Sequence, residues 1–316
     1  MNTFYDDVKN GLSGNPKKLN SKYFYDTIGD SIFQKLMHSP EYYLSKCELE
    51  ILKGQSNEIA INLLQHFKEF DLIELGAGDA SKSSFLLKAL LNQHAEFTYY
   101  PIDISSNVIN SLENNLPRDL PSLNMKGLNG EYLTMLKQQT EQSEKPKVIL
   151  FLGSNIGNMQ LTDAIEFCRN IHQLLKANDL LFIGFDLKKD PKRILAAYND
   201  KEGLTRDFNL NLLTRINKEL KGTFDSEAFY HYPCYDPGTG ECKSYLISKK
   251  DQEVTLEQND EKIQIHFDKY EAIYMEISRK FDLSEIKKLA DSTNFKLTNH
   301  FFDSKKWFVN SLWKKG

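Results

Sequence analysis

Short apolar runs alternate with longer helical stretches through the first 186 residues of the chain. Each run has the length and continuous apolar character of a buried strand. The predicted strands are Asp71–Leu75, Phe97–Asp103, Met125–Leu128, Lys147–Leu152 and Asp179–Phe185. The predicted helices are Lys82–Asn92, Asn107–Asn115 and Leu161–Leu175. Strands that alternate with helices in this way indicate βαβ units and a parallel sheet.

Beyond Asp186 the alternation ends and a second pattern begins. Thr205 is predicted to cap a helix with one apolar stripe. A turn cluster at 236–240 separates two extended stretches and predicts antiparallel strands. The β-like segments here are Phe229–Tyr235, Lys243–Lys249, Val254–Leu256, Ile263–Phe267 and Ala272–Phe281. The elements expected to rejoin the first sheet are a helix over Ser284–Asp291 and strands over Lys296–Phe302 and Trp307–Trp313.

These patterns predict an α/β fold, in which a Rossmann-like parallel sheet carries an inserted α+β domain. The sheet domain is expected to comprise 47–186 and 281–316. The second domain is expected to comprise 1–46 and 187–280. The chain shows no internal repeat and no low-complexity linker, so we expect the inserted domain to form a lid or substrate domain against the sheet.

Composition narrows the class of protein. The 316 residues are 40% hydrophobic and carry a formal net charge of −4, which favours a packed fold and disfavours nucleic acid as a partner. The apolar runs are far shorter than the roughly 20 residues of a membrane span, and the N-terminal segment lacks a signal core. The four cysteines include no CxxC pair and no metal-ligand spacing. We therefore expect a cytoplasmic monomer with a small-molecule substrate and no bound metal.

A glycine-rich turn is the first candidate for chemistry. Glu74-Leu75-Gly76-Ala77-Gly78 follows a predicted strand and precedes a helix, and glycines there allow close backbone approach to a ligand. Asp103 ends the next strand, where it can accept hydrogen bonds from a ribose. Ser81 replaces the third glycine of a dinucleotide motif, so S-adenosylmethionine is favoured over NAD. A plain strand-to-helix turn remains an alternative.

Several motifs together resemble the L-histidine Nα-methyltransferases of ergothioneine biosynthesis. The matching segments lie in order along nearly the whole chain, and the strings at 40–43 and 151–158 are the most specific. The main segments are Tyr23–Asp26 with Gly29, Pro40–Tyr43, Glu74–Gly78 with Lys82, Pro101–Asp103, Gly130–Tyr132, Phe151–Asn158, Ala197-Tyr198, Phe208-Asn209 with Asn211, and Glu276–Ser278. The resemblance implies a class I methyltransferase that converts histidine to trimethylhistidine (hercynine) with S-adenosylmethionine as donor.

The same resemblance implies two sets of site residues. The residues implied to bind the donor are Gly76, Gly78, Lys82, Asp103, Glu131, Tyr132 and Gly153. The residues implied to bind the amino acid are Tyr42, Asn158, Tyr198, Glu276, Ser278 and Ser244. Tyr25 and Tyr42 are the implied catalytic residues, because Tyr25 matches a family tyrosine near the reacting amine and both can orient the amine.

The chemistry suits these residue types, although each has a structural alternative. Asn158 and Tyr198 offer neutral donors to a carboxylate, and Glu276 can pair with an imidazole. Asn158 could instead cap the following helix. Ser244 stands where the family typically carries methionine, so another amino acid or a ring nitrogen of histidine remains an alternative target. A non-catalytic donor-binding protein and a nucleic-acid methyltransferase are further alternatives.

Overall fold

The computed structural model describes residues 3–258 and 261–316. The strands are β1 (Lys17–Lys18), β2 (Glu69–Leu75), β3 (Glu96–Asp103), β4 (Asn124–Met125), β5 (Leu128–Asn129), β6 (Lys147–Phe151), β7 (Leu180–Asp186), β8 (Phe229–Asp236), β9 (Glu241–Ser248), β10 (Gln252–Gln258), β11 (Glu261–Phe267), β12 (Ala272–Arg279), β13 (Phe295–Phe302) and β14 (Phe308–Lys315).

The helices account for most of the remaining regular structure. The α-helices are α1 (Thr3–Ser13), α2 (Thr27–His38), α3 (Tyr43–Leu64), α4 (Ser83–Asn92), α5 (Ser106–Asp119), α6 (Tyr132–Gln142), α7 (Leu161–Leu174), α8 (Pro191–Tyr198), α9 (Leu204–Glu219) and α10 (Leu283–Ser292). The 3-10 helices are Ser21–Phe24, Asn155–Asn158 and Ser226–Ala228. Among the helices of the described residues, none combines the length and hydropathy that a membrane-spanning segment needs.

The chain divides into two compact units. The large-sheet unit comprises Leu44–Lys188 and Arg279–Gly316, and the small-sheet unit comprises Met1–Tyr43 and Lys189–Ser278. Each has its own apolar core, one packed on the central strands of the large sheet and one around α1, α9 and the small sheet. Separate cores allow each unit to bury apolar surface independently.

The large-sheet unit contains a doubly wound sheet. Its strand order is β13-β14-β7-β6-β2-β3-β4, with β5 also paired to β3. The pairs among β2, β3, β6 and β7 are parallel, whereas β14 pairs antiparallel with β7 and with β13. All side chains of β6 and β7 are buried, as expected for strands covered on both faces. The predicted α/β class and the returning C-terminal strands are confirmed.

Two details of the prediction are wrong. The expected strand Met125–Leu128 is replaced by two short pairings with β3, because Lys126 and Gly127 interrupt the ladder between β4 and β5. Thr205 lies inside α9, whose cap position is Gly203. The carboxylate of Asp200 accepts the backbone N–H groups of Leu204 and Thr205 at 2.7 and 2.8 Å, so a residue further upstream satisfies the free donors at this helix start.

The small-sheet unit has the strand order β1-β12-β9-β8, with β10 and β11 forming a separate antiparallel pair. The predicted turn cluster at 236–240 joins β8 and β9. There the Asp236 carboxylate accepts the Gly238 N–H at 2.8 Å and the Thr239 hydroxyl at 3.1 Å. These local bonds stabilise the hairpin turn and confirm the antiparallel pairing of the two strands.

Candidate functional site

The glycine turn after β2 lies against the start of α6. Gly76 has a φ of +75°, and a Cβ atom there would lie 2.6 Å from the hydroxyl of Tyr132. Gly78 also has a positive φ, of +54°, but a Cβ atom there would meet no atom within 4 Å. Glycine is therefore required at Gly76 by both conformation and space, while open space adjoins Gly78. A ligand can approach the backbone at that point.

Asp103 lies at the carboxyl end of β3 beside this turn. Its carboxylate accepts the Ser105 N–H at 2.9 Å and the Gly78 N–H at 3.2 Å. Burial raises the pKa of Asp103, and these backbone hydrogen bonds oppose that effect. The half-buried carboxylate is thus oriented by backbone donors while it retains acceptor capacity for a ligand hydroxyl.

Two predicted donor-binding residues begin α6. Glu131 occupies the N-cap position and is exposed. Tyr132 packs edge-on against Phe151, with ring centroids 5.9 Å apart. Burial raises the pKa of Tyr132, with a smaller contribution from Asp103 and Glu131. Its hydroxyl therefore remains a neutral hydrogen-bonding group beside Gly76.

Lys82 and Gly153 share a partner that sequence reasoning missed. Glu48 is fully buried on α3, pairs with the Lys82 ammonium, and accepts the Gly153 N–H at 3.0 and 2.9 Å through its two oxygens. Its only sequence signal was a charged residue near Cys47 and Ile51, which are buried on the same helix. A buried carboxylate with partners on separate loops indicates a structural constraint on both.

Several predicted amino-acid-binding residues come together in the small-sheet unit. The Tyr198 hydroxyl donates to the Ser278 Oγ at 2.6 Å, and both residues are buried. The ring of Tyr42 meets that of Tyr198 edge-on at 6.5 Å. Asp190 caps α8 with Pro191 in its first turn, and the helix ends at Tyr198. The cap and the proline define the start of this short helix and thereby help to position the tyrosine.

Tyr25 is connected to the same group through aromatic contacts. Its ring packs edge-on against Phe33 at 5.6 Å, and Phe33 packs edge-on against Tyr42 at 6.3 Å. Asp26 caps the following helix by accepting the Gly29 N–H at 2.7 Å. Tyr25 is 39% exposed as a residue, so part of it faces solvent although its ring packs against Phe33.

Glu276 has a buried amide beside it that sequence reasoning also missed. The Asn209 Nδ2 donates to the Thr205 carbonyl at 2.9 Å and lies 3.5 Å from a carboxylate oxygen of Glu276. Asn209 is fully buried, and its Oδ1 finds no hydrogen-bond partner within the part of the chain that the structure describes. Its only sequence signal was its place in the Phe208-Asn209 segment of the family pattern.

Ser244 lies beside an imidazole of the protein itself. Its buried hydroxyl is 3.1 Å from the Nε2 of His231. Burial lowers the pKa of His231 to about 4, with Arg206 adding to the effect and Asp200 opposing it. The neutral His231 ring therefore hydrogen-bonds the Ser244 hydroxyl.

Asn158 belongs to the large-sheet unit, whereas Tyr25, Tyr42, Tyr198 and Ser278 belong to the small-sheet unit. It is exposed at the end of the 3-10 helix 155–158. The alternative that it caps the next helix is wrong, because Gln160 occupies the N-cap of α7. Asn158 thus stays a predicted ligand-binding residue.

Similarity to known proteins extends over nearly the whole chain. The model of a family described as histidine-specific methyltransferase, SAM-dependent, matches residues 4–315. The histidine N-alpha-methyltransferase of Mycobacterium tuberculosis is 31% identical over 275 residues, which cover 87% of this chain and 83% of that protein. Ergothioneine biosynthesis protein 1 of Schizosaccharomyces pombe is 28% identical, covering 90% of this chain and 37% of that protein. The 4-dimethylallyltryptophan N-methyltransferase of Aspergillus fumigatus is 27% identical, covering 82% of this chain and 80% of that protein.

Proposed function

The chain belongs to the family of SAM-dependent, histidine-specific methyltransferases, and from this premise we propose that it methylates the α-amine of L-histidine. The observation that carries the proposal is the match of the family model across residues 4–315. Supporting it, a relative named histidine N-alpha-methyltransferase is 31% identical over most of both chains.

The residues of the glycine turn fit the methyl donor. Asp103 offers a carboxylate to the ribose hydroxyls, and the open space at Gly78 admits a ligand next to the backbone. Lys82, Glu131, Tyr132 and Gly153 remain predicted contacts. When bound, S-adenosylmethionine supplies a methyl group on a sulfonium, and the protein needs chiefly to hold a neutral amine in line with it.

The hydroxyls of Tyr198 and Ser278 form an adaptable pair for the amino acid. Tyr198 has a single proton, which in this structure it donates to Ser278. We propose that this hydroxyl donates to the carboxylate of the substrate when the amino acid binds.

Glu276 is proposed to accept the imidazole N–H of the substrate. The Asn209 amide lies beside one of its carboxylate oxygens, and a carboxylate offers several acceptor positions in all. A site built on hydrogen bonds rejects substrates that lack the matching group more strongly than an apolar pocket does. We therefore propose that Tyr25 and Tyr42 orient the amine, while Glu276 selects for histidine over leucine or phenylalanine.

The test is incubation with S-adenosylmethionine and each of the twenty amino acids, with products identified by mass spectrometry. We expect histidine alone to gain up to three methyl groups, all located on the α-nitrogen by NMR. Glu276→Ala should raise the histidine KM steeply and leave donor affinity unchanged, whereas Tyr270→Phe, at an exposed position of the same unit, should change neither. Methylation of an imidazole nitrogen would refute the proposed position.

A second candidate is N-methylation of a different amino acid. It is favoured by Ser244 in place of the family methionine and by the similarity to a protein named 4-dimethylallyltryptophan N-methyltransferase. The same amino-acid panel decides between the two candidates, because this alternative requires turnover of an amino acid other than histidine.

A further inference from the structure

Glu48 is a buried carboxylate with partners from three separate segments. It is fully buried on α3 and accepts the Gly153 N–H, the Asn310 Nδ2 at 3.0 Å and the Lys82 ammonium. Removing a carboxylate from water costs several kcal/mol unless charge and hydrogen bonds compensate it. These partners supply that compensation.

The large sheet leaves space for this carboxylate. Gly184 on β7 pairs directly with Asn310 on β14. A Cβ atom on Gly184 would lie 2.4 Å from the Glu48 Oε1. Glycine inside a central strand weakens the strand and often marks a close approach by another group. The glycine at 184 is explained by the Glu48 side chain that rests on it.

Two of the partners belong to loops at the predicted donor site. Lys82 follows the Gly76–Gly78 turn and immediately precedes α4, and Gly153 follows β6. Both positions lie beyond the carboxyl ends of parallel strands, where ligands bind in doubly wound sheets. Gly153 has a φ of +75°, and its N–H points at Glu48. One carboxylate therefore joins two loops that face the same edge of the sheet.

We propose that Glu48 is a positioning residue for the methyl-donor site. Its carboxylate holds the Lys82 ammonium and the Gly153 backbone in the arrangement that receives the donor. This inference rests on the proposed function, because it assumes that the carboxyl edge of the large sheet binds S-adenosylmethionine. It assigns no contact between Glu48 and the substrate.

The test compares Glu48→Gln with Glu58→Gln, which changes an exposed glutamate further along the same helix. Calorimetric titration with S-adenosylhomocysteine gives donor-site affinity, and steady-state kinetics give the KM values of both substrates. Glu48→Gln loses the charge-assisted bonds, so we expect the donor-site Kd to rise about 10-fold or more. The histidine KM should stay within about twofold, and Glu58→Gln should match the unmodified protein.

Gly184→Ala provides a second, independent perturbation. The added methyl group would displace the Glu48 carboxylate without changing any charge, so the same selective loss of donor affinity is expected. Folded protein is quantified by circular dichroism for every variant. If the folded Glu48→Gln or Gly184→Ala protein binds S-adenosylhomocysteine as tightly as the unmodified protein, the inference is overturned and Glu48 has only a structural role. Failure of the unmodified protein to bind it would instead refute the proposed function.

Discussion

Glu74 makes the stability of the large-sheet unit depend on pH. It is buried at the end of β2, where its carboxylate accepts the Tyr99 hydroxyl at 2.5 Å. Burial raises its pKa from 4.5 to about 7, although hydrogen bonds from Tyr99 and Ser83 and the charge of Lys82 oppose the rise. This rise in the pKa of Glu74 corresponds to a change of about 3 kcal/mol in the free energy of unfolding.

The direction in which stability changes with pH depends on whether the folded or the unfolded protein holds the proton of Glu74. Between pH 4.5 and about 7 the folded protein keeps the proton on Glu74 while the unfolded chain has released it. The free energy of unfolding should therefore fall as the pH rises through this window and level off above it. Glu74→Gln removes the titration and keeps an acceptor for Tyr99. Its stability relative to the unmodified protein should increase by about 3 kcal/mol across the window.

Urea unfolding at pH 5, 6, 7 and 8 measures this difference. Both tryptophans of the chain, Trp307 and Trp313, lie in the large-sheet unit, so their fluorescence reports the unfolding of the unit that contains Glu74. Glu69→Gln is the matched control, because Glu69 is exposed at the start of the same strand. If the stability difference between Glu74→Gln and the unmodified protein does not change with pH, Glu74 titrates normally and the reasoning is refuted.

Further predictions concern both units. Asp103→Ala should raise the donor-site Kd about 10- to 150-fold by calorimetry; unchanged affinity would remove Asp103 from the site. Tyr198→Phe should raise the histidine KM without changing donor affinity, and histamine, which lacks the carboxylate, should be a poor substrate; equal turnover of histamine would disprove the carboxylate role. Because the pKa of His231 is lowered from 6.5 to about 4, its contribution to the free energy of unfolding should fall as the pH drops through that range. In unfolding curves measured at decreasing pH, His231→Phe should abolish this contribution. Lys280→Met removes the ammonium that pairs with the fully buried Asp186, so urea unfolding should show a loss of about 3–5 kcal/mol in the free energy of unfolding. Adding Asp186→Asn should recover part of that loss. No loss in Lys280→Met would show that the ion pair contributes little to stability.

The α/β class was predictable because its signals are local. Strands such as β6 and β7 are buried along their whole length, so they appear in the sequence as continuous apolar runs. The glycine turn was equally visible, since the positive φ angles at Gly76 and Gly78 restrict which residues fit there. The cap of α9 was mispredicted because a side chain upstream of Thr205 supplies the acceptor.

The contacts that orient the candidate site residues came only from the tertiary structure. Glu48 meets Gly153, 105 positions away, and Asn310, 262 positions away, and no local pattern marks such partners. The bond between Tyr198 and Ser278 likewise joins positions 80 residues apart. Residue type determined which side chains could donate, accept or carry charge. The packing of distant segments decided which of them meet, because the energy of a buried hydrogen bond or ion pair depends on the position and the burial of both partners.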